Sequence, residues 1–264
     1  MKEIRHLVTT DFGQMHLRCR GDVRQQPLLL LHMSPRSSRM WRHLQDALER
    51  PSIAPDRLGY GYSDRPAREL TLEQYAQATL QAVSALGATG QLDVLGMHTG
   101  AIEAVQIGVS AAARVRKLGI VAIPLFTAAE RTANLQSFGE QRIVPRQDGS
   151  HLQEIWANRF QYRTPPYDLA DVQERTVDYL NAPFPGQAYQ AVFRFDLAEC
   201  LLRLRRPIVA FVPRDDLYDV SLRARGSLPP GSTFVDLPDC GIDLFLRDVP
   251  RMAALLSEYF PVDR

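Results

Sequence analysis

From Leu92 to Ala101 the chain reads LDVLGMHTGA, an apolar run that meets two glycines, Gly96 and Gly100, set two residues to either side of His98. The run Leu92–Leu95 predicts a strand, and the apolar spacing over Gly100–Ser110 predicts a helix. The chain must therefore turn from strand to helix at His98 within a few residues. Side chains at positions 96 and 100 would collide with neighbouring backbone in so tight a turn, so both positions suit glycine, and the residue between them is expected to be strained. Ala101 is small as well, as close packing there requires.

Short apolar runs alternate with helical-period segments through most of the chain, which predicts an α/β class with a mostly parallel sheet. His6–Thr10 and Met15–Cys19 flank the turn Asp11-Phe12-Gly13 and read as a hairpin, while Pro27–His32 reads as a strand buried on both faces. Further strands are expected over Ser52–Pro55, Leu118–Ile123, Pro207–Val212 and Thr233–Leu237, and helices over Arg39–Arg50, Leu72–Leu86 and Arg247–Phe260. Strand periodicity stops between Pro124 and Arg206, where Leu152–Phe160 and Leu169–Leu180 are helical in pattern. A plain loop of about eighty residues is far longer than ordinary connections. Residues 124–206 are therefore expected to form a helical cap inserted into a core made of 1–123 and 207–264. Arg142–Ser150 and Gly226–Ser232, rich in Pro, Gly and polar residues, read as surface loops.

Composition mainly excludes. The 264 residues hold 31 Lys and Arg against 30 Asp and Glu, a net charge of +1, which offers nucleic acid no electrostatic footprint. No apolar run is long enough to span a membrane and the first residues lack a signal core, so a cytoplasmic location without membrane partners is expected. Cys19, Cys200 and Cys240 form neither a disulfide framework nor a zinc pattern. Without a Gly-rich phosphate loop or a metal-spaced His cluster, no cofactor and no metal are implied. A small molecule is the expected partner, and a homodimer is compatible with such a domain.

Two upstream segments give the His98 turn a family context: LLLLHMSPRSSRMW over Leu28–Trp41 and IAPDRLGYGYSDRP over Ile53–Pro66. With them the chain resembles the α/β-hydrolase superfamily, most closely the capped branch that includes haloalkane dehalogenases and epoxide hydrolases. The resemblance implies an eight-stranded, mostly parallel sheet flanked by helices, with an inserted helical cap. In that family the turn is G-x-S-x-G and presents a nucleophilic Ser; here His98 holds its place. The first segment carries a His-Gly pair, followed by the residue whose backbone N–H forms half of an oxyanion site. His32 and Ser34 fall on that pattern, with Met33 replacing the Gly. The second is a D-x-x-G-x-G-x-S-D loop, matched by Asp56, Gly59, Gly61, Ser63 and Asp64. The family's acid falls in PRDDLYDV, on Asp216 by spacing, with Asp215 the less favoured neighbour. The family's His falls on Ile242 in LPDCGIDLFLRD, and since the last His is His151, the order nucleophile, acid, His cannot be built.

An ordinary serine hydrolase is therefore not expected, because losing members of such a unit costs on the order of a million-fold in rate. What survives is His98, whose unperturbed imidazole would titrate at about 6.5, and the backbone N–H groups of Ser34 and Thr99 as oxyanion donors. The longer His98 side chain is expected to use space left by Ile242 and pair with Asp216 in a two-residue dyad. His32, Met33, Arg36, Trp156 and Ile242 are expected to line the substrate pocket, with His151, Arg159 and Tyr162 at its mouth. The reading is an enzyme with a degenerate triad acting on a small, largely apolar carbonyl compound. Its reaction would be ester, thioester or lactone hydrolysis, or non-hydrolytic proton transfer of the lyase, decarboxylase, isomerase or epimerase kind. The alternative is a catalytically inactive ligand-binding or scaffold protein. Ile242 favours it; His98 opposes it, since a drifting position would more often become a small residue that relieves the turn.

Overall fold

The computed structural model describes residues 1–138, 141–161, 168–182 and 184–262. The chain opens with a hairpin, β1 (Glu3–Thr10) and β2 (Gly13–Arg20), followed by β3 (Leu28–Leu31), α1 (Arg42–Ala47), β4 (Ser52–Pro55) and α2 (Leu72–Ala85). β5 (Leu92–Met97), α3 (Thr99–Ser110) and β6 (Val115–Val121) come next. Five helices then follow among the described residues: α4 (Ala128–Phe138), α5 (Ser150–Phe160), α6 (Leu169–Leu180), α7 (Gln187–Arg194) and α8 (Leu197–Arg203). The chain closes with β7 (Val209–Pro213), α9 (Tyr218–Arg223), β8 (Thr233–Leu237), α10 (Leu244–Arg247) and α11 (Val249–Tyr259).

All eight strands join one sheet in the order β1-β2-β4-β3-β5-β6-β7-β8. β2 runs antiparallel to both β1 and β4, and every other pair is parallel. Parallel strands are covered by helices on both faces, so their side chains are apolar in both directions. The period of two then sorts each strand between two cores. Leu29 and Leu31 of β3, Val94 of β5 and Ala210 of β7 enter the core beneath α2, α3, α7 and α8. Leu28 and Leu30, Leu95 and Met97, and Val209 and Phe211 enter the opposite core, with Trp41, Leu44, Phe245 and Leu256. The sheet with its two helical layers is the eight-stranded architecture the resemblance implied.

Several element ends differ from expectation. The helix expected over Arg39–Arg50 is a 3-10 turn at Ser38–Trp41 followed by the short α1, and Leu48 is already extended. Pro51 disfavours helical geometry at Arg50, and the Arg50 guanidinium is held by Phe260 O and the Asp93 carboxylate. β5 runs to Met97 and α3 starts at Thr99, so the corner is tighter than the sequence suggested. Within the segment expected as the cap, α7 and α8 carry Val192, Phe193, Leu197 and Leu201 into the buried cluster around α3. By contrast α4 and α5 bury no residue fully. Tyr162 lies outside the described residues. No described helix is long and apolar enough to cross a membrane.

Candidate active site

The corner between β5 and α3 leaves one residue, His98, outside both elements, at φ 51° and ψ −114°. This region strongly disfavours side chains and is found where surrounding structure enforces it. The enforcement is visible in the two glycines. A Cβ at Gly96 would lie 1.9 Å from Gly100 O, and one at Gly100 would lie 2.1 Å from Leu31 O. His98 N–H donates to Val121 O and His98 O accepts the Ala101 amide, fixing the turn at both ends.

The imidazole points across the carboxyl end of β6 toward the loop after β7. His98 Nε2 lies 2.8 Å from Oδ2 of Asp215, whose side chain is fully buried. An ionised carboxylate only accepts, so Nε2 carries the proton and donates it. The partner expected from spacing was Asp216; the structure corrects this to Asp215, and the reason is local. The Leu217 N–H donates to Asp215 Oδ1 in a turn two residues long, which holds that carboxylate inward. Asp216, one position later, is exposed and faces the cavities. Burial opposes the imidazolium form, yet the charge of Asp215, its hydrogen bond and the charge of Asp216 outweigh burial, so the His98 pKa lies above the ordinary histidine value. Nδ1, the other ring nitrogen, has no hydrogen-bond partner among the described residues.

His98 opens onto an inner cavity of about 320 Å³. Ser34 and Thr99 line it, and among the described residues neither backbone N–H meets an acceptor. Most of the remaining wall is apolar, with Phe126, Phe138, Val192 and Phe193. Met33, Ser34, Phe138, Tyr189 and Asp216 are shared with a larger outer cavity of about 590 Å³, which extends under α5 and α6. Among the residues expected to line a pocket, Met33, Arg36 and Ile242 do so in the outer cavity, as do His151 and Arg159. Arg36 is not a free cation, since its Nε donates to Asp178 at 2.8 Å.

Two expected pocket residues are corrected. Trp156 is 37% exposed and lines neither cavity, whereas its neighbours Ile155 and Arg159 face the outer one. One position along a helix turns a side chain by about 100°, enough to move it off the lined face. His32 lies behind the loop, 1% exposed. Its Nε2 accepts the Arg57 amide and its Nδ1 donates to Met33 O. With both nitrogens used by backbone, the ring is neutral, and burial together with the Arg57 charge pushes its pKa down to about 3.

Sequence reasoning missed the scaffold of this loop. The Arg57 guanidinium donates to Glu103 Oε2 through Nε and Nη2, to Ser34 Oγ through Nη1 and to His32 O. Thr79 donates to the other Glu103 oxygen. Arg57 and Glu103 are almost fully buried, so this network ties the Ser34 loop to α2 and α3. Tyr189, also missed, donates to Ser34 O at 2.8 Å and walls both cavities. Its available signal was the Tyr-x-x-x-Phe spacing in QAYQAVF, which puts Tyr189 and Phe193 on one face of α7.

His98, Asp215 and Asp216 also form the one group among the described residues that could hold a metal ion, their ligand atoms lying within 4.8 Å of one another. One His and two carboxylates would suit a divalent cation. In the protonated pair, the Nε2 hydrogen occupies the line between His98 and Asp215.

A sequence model of the alpha/beta hydrolase family matches residues 28–254. No curated protein matches the chain significantly. Solved structures do: a hydrolase from Pseudomonas aeruginosa PA01 at TM-score 0.81 and 18% identity, covering 97% of this chain and 98% of that one. An epoxide hydrolase from an endophytic Streptomyces aligns at TM-score 0.76 and 19% identity, over 97% and 95% of the two chains. The enol-lactonase from Burkholderia xenovorans LB400 aligns at 0.78 and 14%, over 96% and 99%. At these identities the likeness is one of fold.

Proposed function

Because the chain belongs to the alpha/beta hydrolase family, we propose that it hydrolyses an ester, thioester or lactone of a small, largely apolar acid, with His98 as the general base that activates water in place of the missing serine and histidine. The observation that carries this reading is the 2.8 Å Nε2–Oδ2 bond between a strained His98 and a buried Asp215 at the wall of an apolar cavity. β5 and β7 flank β6, so the ends of the two strands are about two interstrand spacings, roughly 10 Å, apart. A serine at position 98 would need a third residue to bridge that gap; an imidazole reaches across it.

Asp215 fixes the tautomer, leaving the Nδ1 lone pair as the base. In the proposed step Nδ1 takes a proton from water as the water oxygen bonds to the substrate carbonyl carbon. The carbonyl oxygen becomes an oxyanion within reach of the Ser34 and Thr99 amides. Collapse breaks the bond to the leaving group, which takes the proton back from Nδ1. The products are the acid and the alcohol, thiol or opened hydroxy acid, and His98 is returned neutral. The same base suits proton abstraction beside a carbonyl, a second reading favoured by the lack of a hydroxyl nucleophile at the turn.

Turnover of a graded panel of aryl esters, thioesters and lactones by wild type and His98→Ala, above the background imidazole rate, tests the proposal. Saturable activity that disappears in the variant supports hydrolysis. No turnover in either protein, with solvent deuterium entering a carbonyl compound only in the wild type, replaces it with proton transfer.

A further inference from the structure

The overall charge of the chain is close to zero, but arginines predominate among the charged side chains that line the outer cavity. Five arginines line it against two acids, Glu154 and Asp216. Three of the arginines are committed within the protein: Arg36 to Asp178, Arg175 to Asp171 and Arg146 to Glu154. Arg142 is different. It has no acidic partner among the described residues, and its guanidinium lies 3.9 Å from the centre of the Phe184 ring. Stacking on a ring face holds a guanidinium flat while its in-plane N–H groups stay free, the geometry that takes a carboxylate through two parallel hydrogen bonds. Arg159 lies over Tyr179 on the same cavity wall.

We propose that the outer cavity is a carboxylate-binding subsite anchored by Arg142, so that the substrate is an anionic carbonyl compound with an apolar body in the inner cavity. The inference rests on the proposed function for the reacting end, and on the cavity alone for the anion. Its orientation follows from the neck. Asp216 lies where the two cavities join, so a carboxylate is repelled from the His98 side and attracted to the arginine side. The neutral, reacting end of the same molecule meets a largely aromatic and aliphatic wall that carries His98, Ser34 and Thr99. The cavity volume of about 590 Å³ suits a small-molecule acid.

The test is direct binding by calorimetry of two isosteric probes, 4-phenylbutyrate and 4-phenylbutanamide, to wild type, Arg142→Ala, Arg142→Lys and His98→Ala. The acid is expected to bind the wild type about tenfold or more tightly than the amide, as one charge-assisted pair provides. Arg142 is exposed on a loop, so Arg142→Ala should fold; it is expected to bind both probes alike, with amide affinity unchanged, and Arg142→Lys to recover part of the preference. The preference should persist in His98→Ala, which separates the subsite from the hydrolytic reading. Equal binding of acid and amide to the wild type, no binding of either, or an undiminished preference in Arg142→Ala would overturn the proposal. Inorganic phosphate displacing the acid at lower concentration than acetate does would overturn the carboxylate assignment.

Discussion

Replacing Asp215 by Asn should be far more damaging than its single lost charge suggests. The Leu217 N–H points at Oδ1, so the amide oxygen of an asparagine would settle there and turn its NH₂ toward His98 Nε2. Nε2 would then have to accept, the ring proton would move to Nδ1, and the nitrogen facing the cavity would lose its lone pair. A tautomer reversal of this kind costs roughly 10³–10⁴ in kcat/KM. The loss of the Asp215 charge and its charge-assisted hydrogen bond should also lower the His98 pKa. Wild-type activity requires neutral His98, so it should rise with pH through a midpoint above the ordinary histidine value. The protonated pair also stabilises the wild-type fold below the unfolded histidine value of about 6.5, and that contribution fades as pH rises through the higher folded value. Asp215→Asn should lose both the activity and this stability slope. Asp216→Asn removes the least of the influences that raise the His98 pKa and should keep activity within about tenfold. kcat/KM measured from pH 5 to 9, with histidine ring NMR titrations, decides the matter. A larger loss from Asp216→Asn than from Asp215→Asn would refute the reasoning.

Other consequences can be checked on the same protein. Arg57→Ala strands the buried Glu103 carboxylate and should cost about 3–5 kcal/mol in urea denaturation; a loss under 1 kcal/mol would mean the network adds little. Gly100→Ala drives a Cβ toward Leu31 O and should destabilise by about 3 kcal/mol or more or prevent folding, read as a fall in Tm. His32, held neutral at both nitrogens, should show no NMR titration between pH 5 and 9 while His98 titrates. Exhaustive dialysis against EDTA should leave kcat/KM unchanged; a loss restored by Zn²⁺ would make His98, Asp215 and Asp216 a metal site instead.

The sheet could be read from the sequence because parallel strands bury both faces, which leaves unbroken runs such as LLLL at Leu28–Leu31. The corner was legible for a different reason: only glycine fits where Gly96 and Gly100 meet backbone. Asp215 against Asp216 was not, since one turn hydrogen bond to Leu217 decides which of two adjacent carboxylates faces inward. Trp156 was misplaced because α5 buries no residue fully and so has no apolar stripe that marks the face toward a cavity, and His32 because a loop has no period at all. The Arg57–Glu103 pair joins residues 46 apart in sequence, and Arg142 is significant only through Phe184; neither contact has a local signal.

Chemical rescue tests the central claim, that a single imidazole at position 98 supplies the base, most directly. His98→Ala should lose ester or lactone turnover and recover part of it, saturably, when free imidazole is added, with a pH midpoint that follows the pKa of the imidazole derivative used. A variant that turns over as well as the wild type without imidazole would contradict the claim.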